Sequence, residues 1–171
     1  METTEQRETL LDTLAEKYHA NLTSLPYEDE LFMIGIREGK NKFLANLHIH
    51  LAKAQLPAGW RDKRYTTDFV TPVALEQLRT KQLKGLEYEH LVPKGAFIQE
   101  KCEAKAKTGE LTVNFVRDIL ARYLWTATVT EEEHLRLSRS TMPRWWDKSN
   151  IFARYEEAGM KLQVHEKGYM R

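Results

Sequence analysis

The sequence predicts an α+β fold: a mainly helical scaffold carrying a small two-stranded β element that is followed by a helix. Three observations lead there. Apolar residues recur at helical spacing near the start, at Leu10, Leu11, Leu14, Tyr18 and Leu22. Two short runs, LEYEHLVP and WTATVT, break that spacing, the first bounded by Gly85 and Pro93 and the second rich in threonine and other β-branched residues. Directly behind the second run, Thr130-Glu131-Glu132-Glu133 forms a capping-box signature, which starts a helix.

The elements follow in chain order. The first apolar stripe predicts a helix over roughly 4–20. LFMIGIREG (31–39) is apolar and broken by glycines, and fits strand or helix. Asn41 is a candidate cap for a helix bearing Phe43, Leu44, Leu47, Leu51 and Ala54, which should stop before Pro57. Residues 58–68 read as a loop. Thr71-Pro72 is a helix start, with threonine as the cap and proline in the first turn. LEYEHLVP is then a strand, 95–107 a helix closed by Thr108-Gly109, and 111–124 a helix with Val113, Val116, Ile119, Leu120 and Tyr123 on one side. WTATVT is the second strand, and EEEHLRLSRS opens the helix behind it. A loop with Trp145 and Trp146 leads to a last short helix that ends near Gly159. The whole is read as one domain, residues 1–171. It has a helical part at 1–85, a strand–strand–helix unit at 86–140, and a closing loop and helix at 141–171.

Composition narrows the class. With 171 residues and 42% of them hydrophobic, the chain can bury a core of its own. No apolar run approaches the roughly 18 residues of a membrane span, so no membrane role is expected. The acidic start, without a basic leader and apolar signal core, predicts a cytoplasmic protein. Cys102 is the single cysteine, which rules out an internal disulfide or a paired-cysteine zinc clamp and marks an idle, buried thiol. The net charge of +1 conceals an asymmetry. Residues 1–30 hold eight acids and two bases, whereas 40–64 hold six bases and one acid. A second basic cluster comprises Arg136, Arg139, Arg144 and Lys148. An anionic partner responds to such local patches rather than to the total.

Two histidines sit where chemistry is possible. His90 ends the first predicted strand, and His134 lies in the first turns of the helix after the second. In a strand–strand–helix unit the strand histidine can take a proton from water. Its acidic neighbour and the helix histidine can hold one divalent cation. The field at a helix N-terminus favours a neutral imidazole, the form that binds metal.

These residues resemble a known family. Glu89-His90-Leu-Val-Pro is similar to the [DE]-H-[IV]-x-P motif that opens HNH, or His-Me finger, endonucleases. Val129-Thr130-Glu131-Glu132-Glu133-His134-Leu-Arg-Leu resembles the T-x-E-E-H-x-x-L close of many members, phage and bacterial-defence ones among them. The resemblance covers about residues 86–140. It implies a ββα-metal unit that hydrolyses DNA, with His90 as general base and Glu89 and His134 as ligands to Mg²⁺, or to Mn²⁺ or Zn²⁺. Asn114 is the available middle asparagine, although it falls in a predicted helix. The two histidines stand 44 positions apart, with two predicted helices between the strands. Lys94, Arg136, Arg139 and Arg144 are candidate phosphate contacts, and Arg61, Lys63 and Arg64 would extend that track. A single such site often needs a second copy to cut a duplex, which makes a homodimer one possible assembly.

Other candidates carry less. His48 and His50 fall two apart on a helix and point in different directions, which is unsuited to chelation. Trp145 and Trp146 beside Arg144 either stack on bases or pin a loop. No phosphate-binding loop, dinucleotide fingerprint, serine-nucleophile elbow or EF-hand is present. The alternative reading is a non-catalytic module that binds a protein partner: an inhibitor, an immunity-type protein or a regulator on a degenerate nuclease scaffold.

Overall fold

A computed structural model describes residues 4–171. The fold is mixed α and β, mainly helical, with one small sheet. The chain divides into two compact units. One comprises residues 52–93 and 123–171 and holds the sheet. The other comprises the described residues up to Leu51 together with Lys94–Arg122 and is helical.

In the helical unit, α1 (Thr4–Thr23) buries Leu10, Leu11, Leu14, Ala15, Tyr18 and Leu22, as its spacing predicts. The 31–39 stretch is helix. Asp29 caps α2 (Glu30–Gly35) by accepting the Phe32 amide, and α3 (Arg37–Ala54) follows after Ile36 alone. Asn41 is therefore inside α3 and not its cap; its carbonyl accepts the Gln99 side-chain amide at 2.8 Å. A π-helical turn at Gly95–Gln99 runs into α5 (Glu100–Lys107). Gly109, at φ +73°, turns the chain toward α6 (Val113–Tyr123). Cys102 is buried, and burial together with the nearby Glu103 pushes its thiol up to about 12.

In the other unit, a single 3₁₀ turn at Lys63–Tyr65 precedes β1 (Phe69–Val70). Thr71 then caps α4 (Pro72–Arg79) as its sequence indicates. The two predicted strands form: β2 (Leu86–His90) and β3 (Thr126–Thr130) pair antiparallel, from Leu86 opposite Thr130 to His90 opposite Thr126. The sheet has four strands rather than two. β1 lies parallel to β3, and β4 (Gln163–Val164) lies antiparallel to β1, giving the order β2-β3-β1-β4. β1 and β4 are two residues long, too short to show an alternating pattern. They exist because backbone groups of neighbouring segments meet, such as the His165 amide and the Asp68 carbonyl at 2.9 Å.

Two apolar clusters hold this unit together. One gathers Leu56, Trp60, Tyr65, Val70, Leu78 and Leu86, the other Leu91, Ala127, Val129, Leu137, Tyr155 and Met160. Behind β3 stands α7 (Glu131–Leu135), and α8 (Ala153–Glu157) follows the tryptophan loop. Gly85 takes φ +78°, and its carbonyl accepts the Glu131 amide at 2.8 Å, so the start of α7 is tied to the entry of β2.

Candidate functional site

The site grows from three adjoining segments of the sheet unit. Strand alternation on β2 directs Glu87 and Glu89 to the face of Val129 and Ala127. It directs Tyr88 and His90 to the opposite face, with Thr128 and Thr126. The helix start on the Glu89 side is fixed by the predicted capping box. Thr130 Oγ1 accepts the Glu133 amide at 3.2 Å, and Glu133 Oε2 accepts the Thr130 amide at 2.9 Å. Thr71 Oγ1 donates to the same carboxylate oxygen at 2.7 Å, which binds the cap of α7 to the cap of α4.

This anchoring brings His134 to Glu89. His134 Nδ1 lies 2.8 Å from Glu89 Oε1, with both side chains partly open to solvent at 31% and 18%. Nδ1 itself is buried, although the ring it belongs to is partly open. The separation is that of an imidazole–carboxylate ion pair when the ring is protonated, and it also equals the spacing of neighbouring ligands on one octahedral ion. Bonds of about 2.1 Å at right angles put their donor atoms about 3 Å apart. Among the described residues no group of three or more His, Cys, Asp and Glu gathers at such a point, so the pair offers two protein donors.

The other carboxylate oxygen has a different neighbour. Arg154 of α8 is buried, and its Nη2 lies 3.3 Å from Glu89 Oε2. The same guanidinium donates to the carbonyls of Leu91 (3.1 Å), His90 and Ser138. It thus joins the end of β2, the segment after α7 and the carboxylate of Glu89. Sequence reading missed Arg154. The one signal for it is a cation set among apolar residues in NIFARY, where a surface helix would expose it.

The remaining candidates are scattered. The His90 ring stands edge-on to Tyr88, centroids 5.5 Å apart, and its Nε2 is buried. Asn114 is exposed on α6 and belongs to the helical unit. Lys94 donates to Gln99 Oε1 at 3.3 Å, and burial holds its ammonium below the ordinary lysine range. Arg64 binds Asp62 through two bonds of 2.7 and 2.9 Å and donates to the Leu83 and Leu86 carbonyls, so it secures the approach to β2. Lys63 is exposed over the Tyr88 ring at 5.6 Å. Arg61, Arg139 and Arg144 are exposed, while Arg136 reaches the Ala158 carbonyl. Of the two tryptophans, Trp146 is pinned by its Nε1–H to the Asn150 carbonyl at 2.7 Å, and Trp145 stands out in solvent. On α3, His48 is buried and His50 exposed, as helical spacing requires.

No protein-family model, curated protein or solved structure matches this chain. No helix of the described residues is long and apolar enough to cross a membrane.

Proposed function

We propose that this chain is a metal-dependent nuclease of the HNH, or His-Me finger, kind that hydrolyses DNA phosphodiesters, of phage or bacterial-defence origin. The observation that carries this reading is the 2.8 Å approach of His134 Nδ1 to Glu89 Oε1. It lies beside an antiparallel strand pair followed at once by a helix. The pair fits a small divalent cation that keeps several water ligands, Mg²⁺ above all, with Mn²⁺ or Zn²⁺ as alternatives. When bound, such an ion stabilises charge on the scissile phosphate and the leaving oxygen.

The chain's own residues do the rest. Arg154 holds Glu89 by one oxygen and leaves the other turned to His134. His90, next in the chain, serves as the general base for the attacking water, which requires its ring to bring a nitrogen out to solvent. Arg136, Arg139 and Arg144, with Arg61 and Lys63, supply exposed cations for the phosphate backbone.

A second reading is favoured by the buried Nε2 of His90: a degenerate nuclease scaffold kept as a protein-binding module. One experiment separates the two. Calorimetry with Mg²⁺, Mn²⁺, Ni²⁺ and Zn²⁺ is run on wild type, Glu89→Ala and His134→Ala, alongside plasmid nicking by wild type and His90→Ala. Metal binding lost in the first two variants, with nicking lost in His90→Ala, supports the nuclease. Metal binding without nicking supports the degenerate scaffold. Neither activity in the folded wild type removes the metal site from consideration.

A further inference from the structure

The short helix α2 has an unusual surface. None of its six residues is buried, yet it carries Leu31, Phe32, Met33 and Ile34. Leu31 is 82% exposed, Phe32 47% and Ile34 58%. A helix apolar on nearly every side is ordinarily covered. Beside it runs a groove of about 330 Å³ whose lining joins Tyr27, Met33 and Ile34 to the charged Glu30, Arg37, Lys40, Glu103 and Lys107.

The charges flanking the patch say what covers it. Ahead of the apolar residues stand Glu28, Asp29 and Glu30; behind them stand Arg37 and Glu38, and Glu38 is taken up by Lys42, which leaves Arg37 as the cation of that flank. Glu28, Glu30 and Arg37 are exposed and form no ion pair among the described residues. The order acid, apolar, base along residues 28–37, with α2 at its centre and Arg37 opening α3, is self-complementary. When two copies meet across a two-fold axis with their α2 helices antiparallel, the apolar segments face each other. The acidic start of each then lies against the basic end of the other. A partner of different sequence would need to supply this pattern; a second copy already has it.

We propose that α2 is the self-association surface of this chain, packed antiparallel against α2 of a second copy, with Glu30 of each copy facing Arg37 of the other. The inference stands on α2 and its flanking charges alone, independently of the nuclease reading. The exposed side chains amount to on the order of 300 Å² per copy, against about 800 Å² per partner in a standard interface. The dimer is accordingly weak, with dissociation in the tens to hundreds of micromolar, and it weakens further as salt rises.

Sedimentation velocity of the full chain from about 5 to about 500 μM tests this. Wild type should move from monomer to dimer across that range. Leu31→Ser/Phe32→Ser should remain monomeric throughout, with an unchanged thermal unfolding midpoint. Glu30→Lys and Arg37→Glu should each weaken the dimer about tenfold. The combined variant Glu30→Lys/Arg37→Glu should restore it, because both contacts are regenerated with reversed sign. A wild type that stays monomeric at every concentration overturns the proposal. So does a dimer indifferent to the apolar pair, or a charge reversal that the double variant fails to rescue.

Discussion

Replacing Arg154 by methionine removes the group on which the site is assembled, and the cost can be worked from its contacts. The side chain is 3% exposed and meets one carboxylate and three backbone carbonyls. Methionine fills similar volume, so the change is mainly electrical and not a cavity. Glu89 is left partly buried without its cation, and breaking a buried pair from one side costs about 3–5 kcal/mol. The carbonyls of His90, Leu91 and Ser138 lose their donor; those that water reaches recover part of the loss. Taken together, destabilisation of about 4 kcal/mol is expected, a large fraction of the roughly 5–15 kcal/mol that holds a domain together. Arg154→Lys restores the charge but not the fork that spans three carbonyls, and should cost about half as much. Adding Glu89→Gln to Arg154→Met removes the stranded charge and should recover about 1–2 kcal/mol. Urea unfolding followed by tryptophan fluorescence gives all four values. A loss below about 1 kcal/mol for Arg154→Met, or no recovery in the double variant, would show that the guanidinium is not what holds Glu89 in place.

Three further outcomes follow from groups elsewhere. His165 is buried against Thr67 and Tyr169, and burial, reinforced by Lys167, pushes its imidazole down to about 3. The unfolded chain takes up that proton near pH 6.5 and the folded chain does not, so this contribution is complete above pH 6.5 and drains away as pH falls. About 2 kcal/mol should be lost by pH 5, and His165→Gln should flatten the slope of stability between pH 5 and 7 in urea titrations. Thr130→Ala breaks the capping box of α7 and should cost about 1 kcal/mol, measured by thermal unfolding, while weakening any metal affinity through the freed His134. Cys102, buried and with its thiol raised to about 12, should resist a thiol reagent in the native protein and react fully in denaturant. Rapid native labelling would contradict its placement.

How much of this was legible depended on the range over which each signal acts. Local signals carried well. Thr71-Pro72 and the Thr130–Glu133 box fixed two helix starts to the residue, and Gly85 and Pro93 framed β2. The same local signals placed Glu89 and His134 on elements that bring them together. Signals that arise only on packing did not carry. β1 and β4 have no pattern of their own, and α3 begins four residues before Asn41 because α2 delivers the chain already helical. Arg154 is set by the carbonyls that meet it, which no spacing reveals. The long gap between the histidines has a structural explanation as well. Residues 94–122 form the helices expected between the strands and belong to the helical unit, and β2 and β3 pair in register despite them.

That last arrangement has a consequence for how the protein is made. The helical unit is written in two instalments, with Ala52–Pro93 of the other unit between them. A ribosome working at about 5–20 residues per second delivers α1 to α3 several seconds before α5 and α6 exist to pack against α1. The sheet unit waits in turn, since β2 is complete well before its neighbour β3. Neither unit can finish until most of the chain has emerged, so the nascent polypeptide carries bare apolar helix and an unpaired strand edge through much of its synthesis. It should therefore lean on holdase chaperones while being made, and any single cut leaves the segments of at least one unit on different fragments.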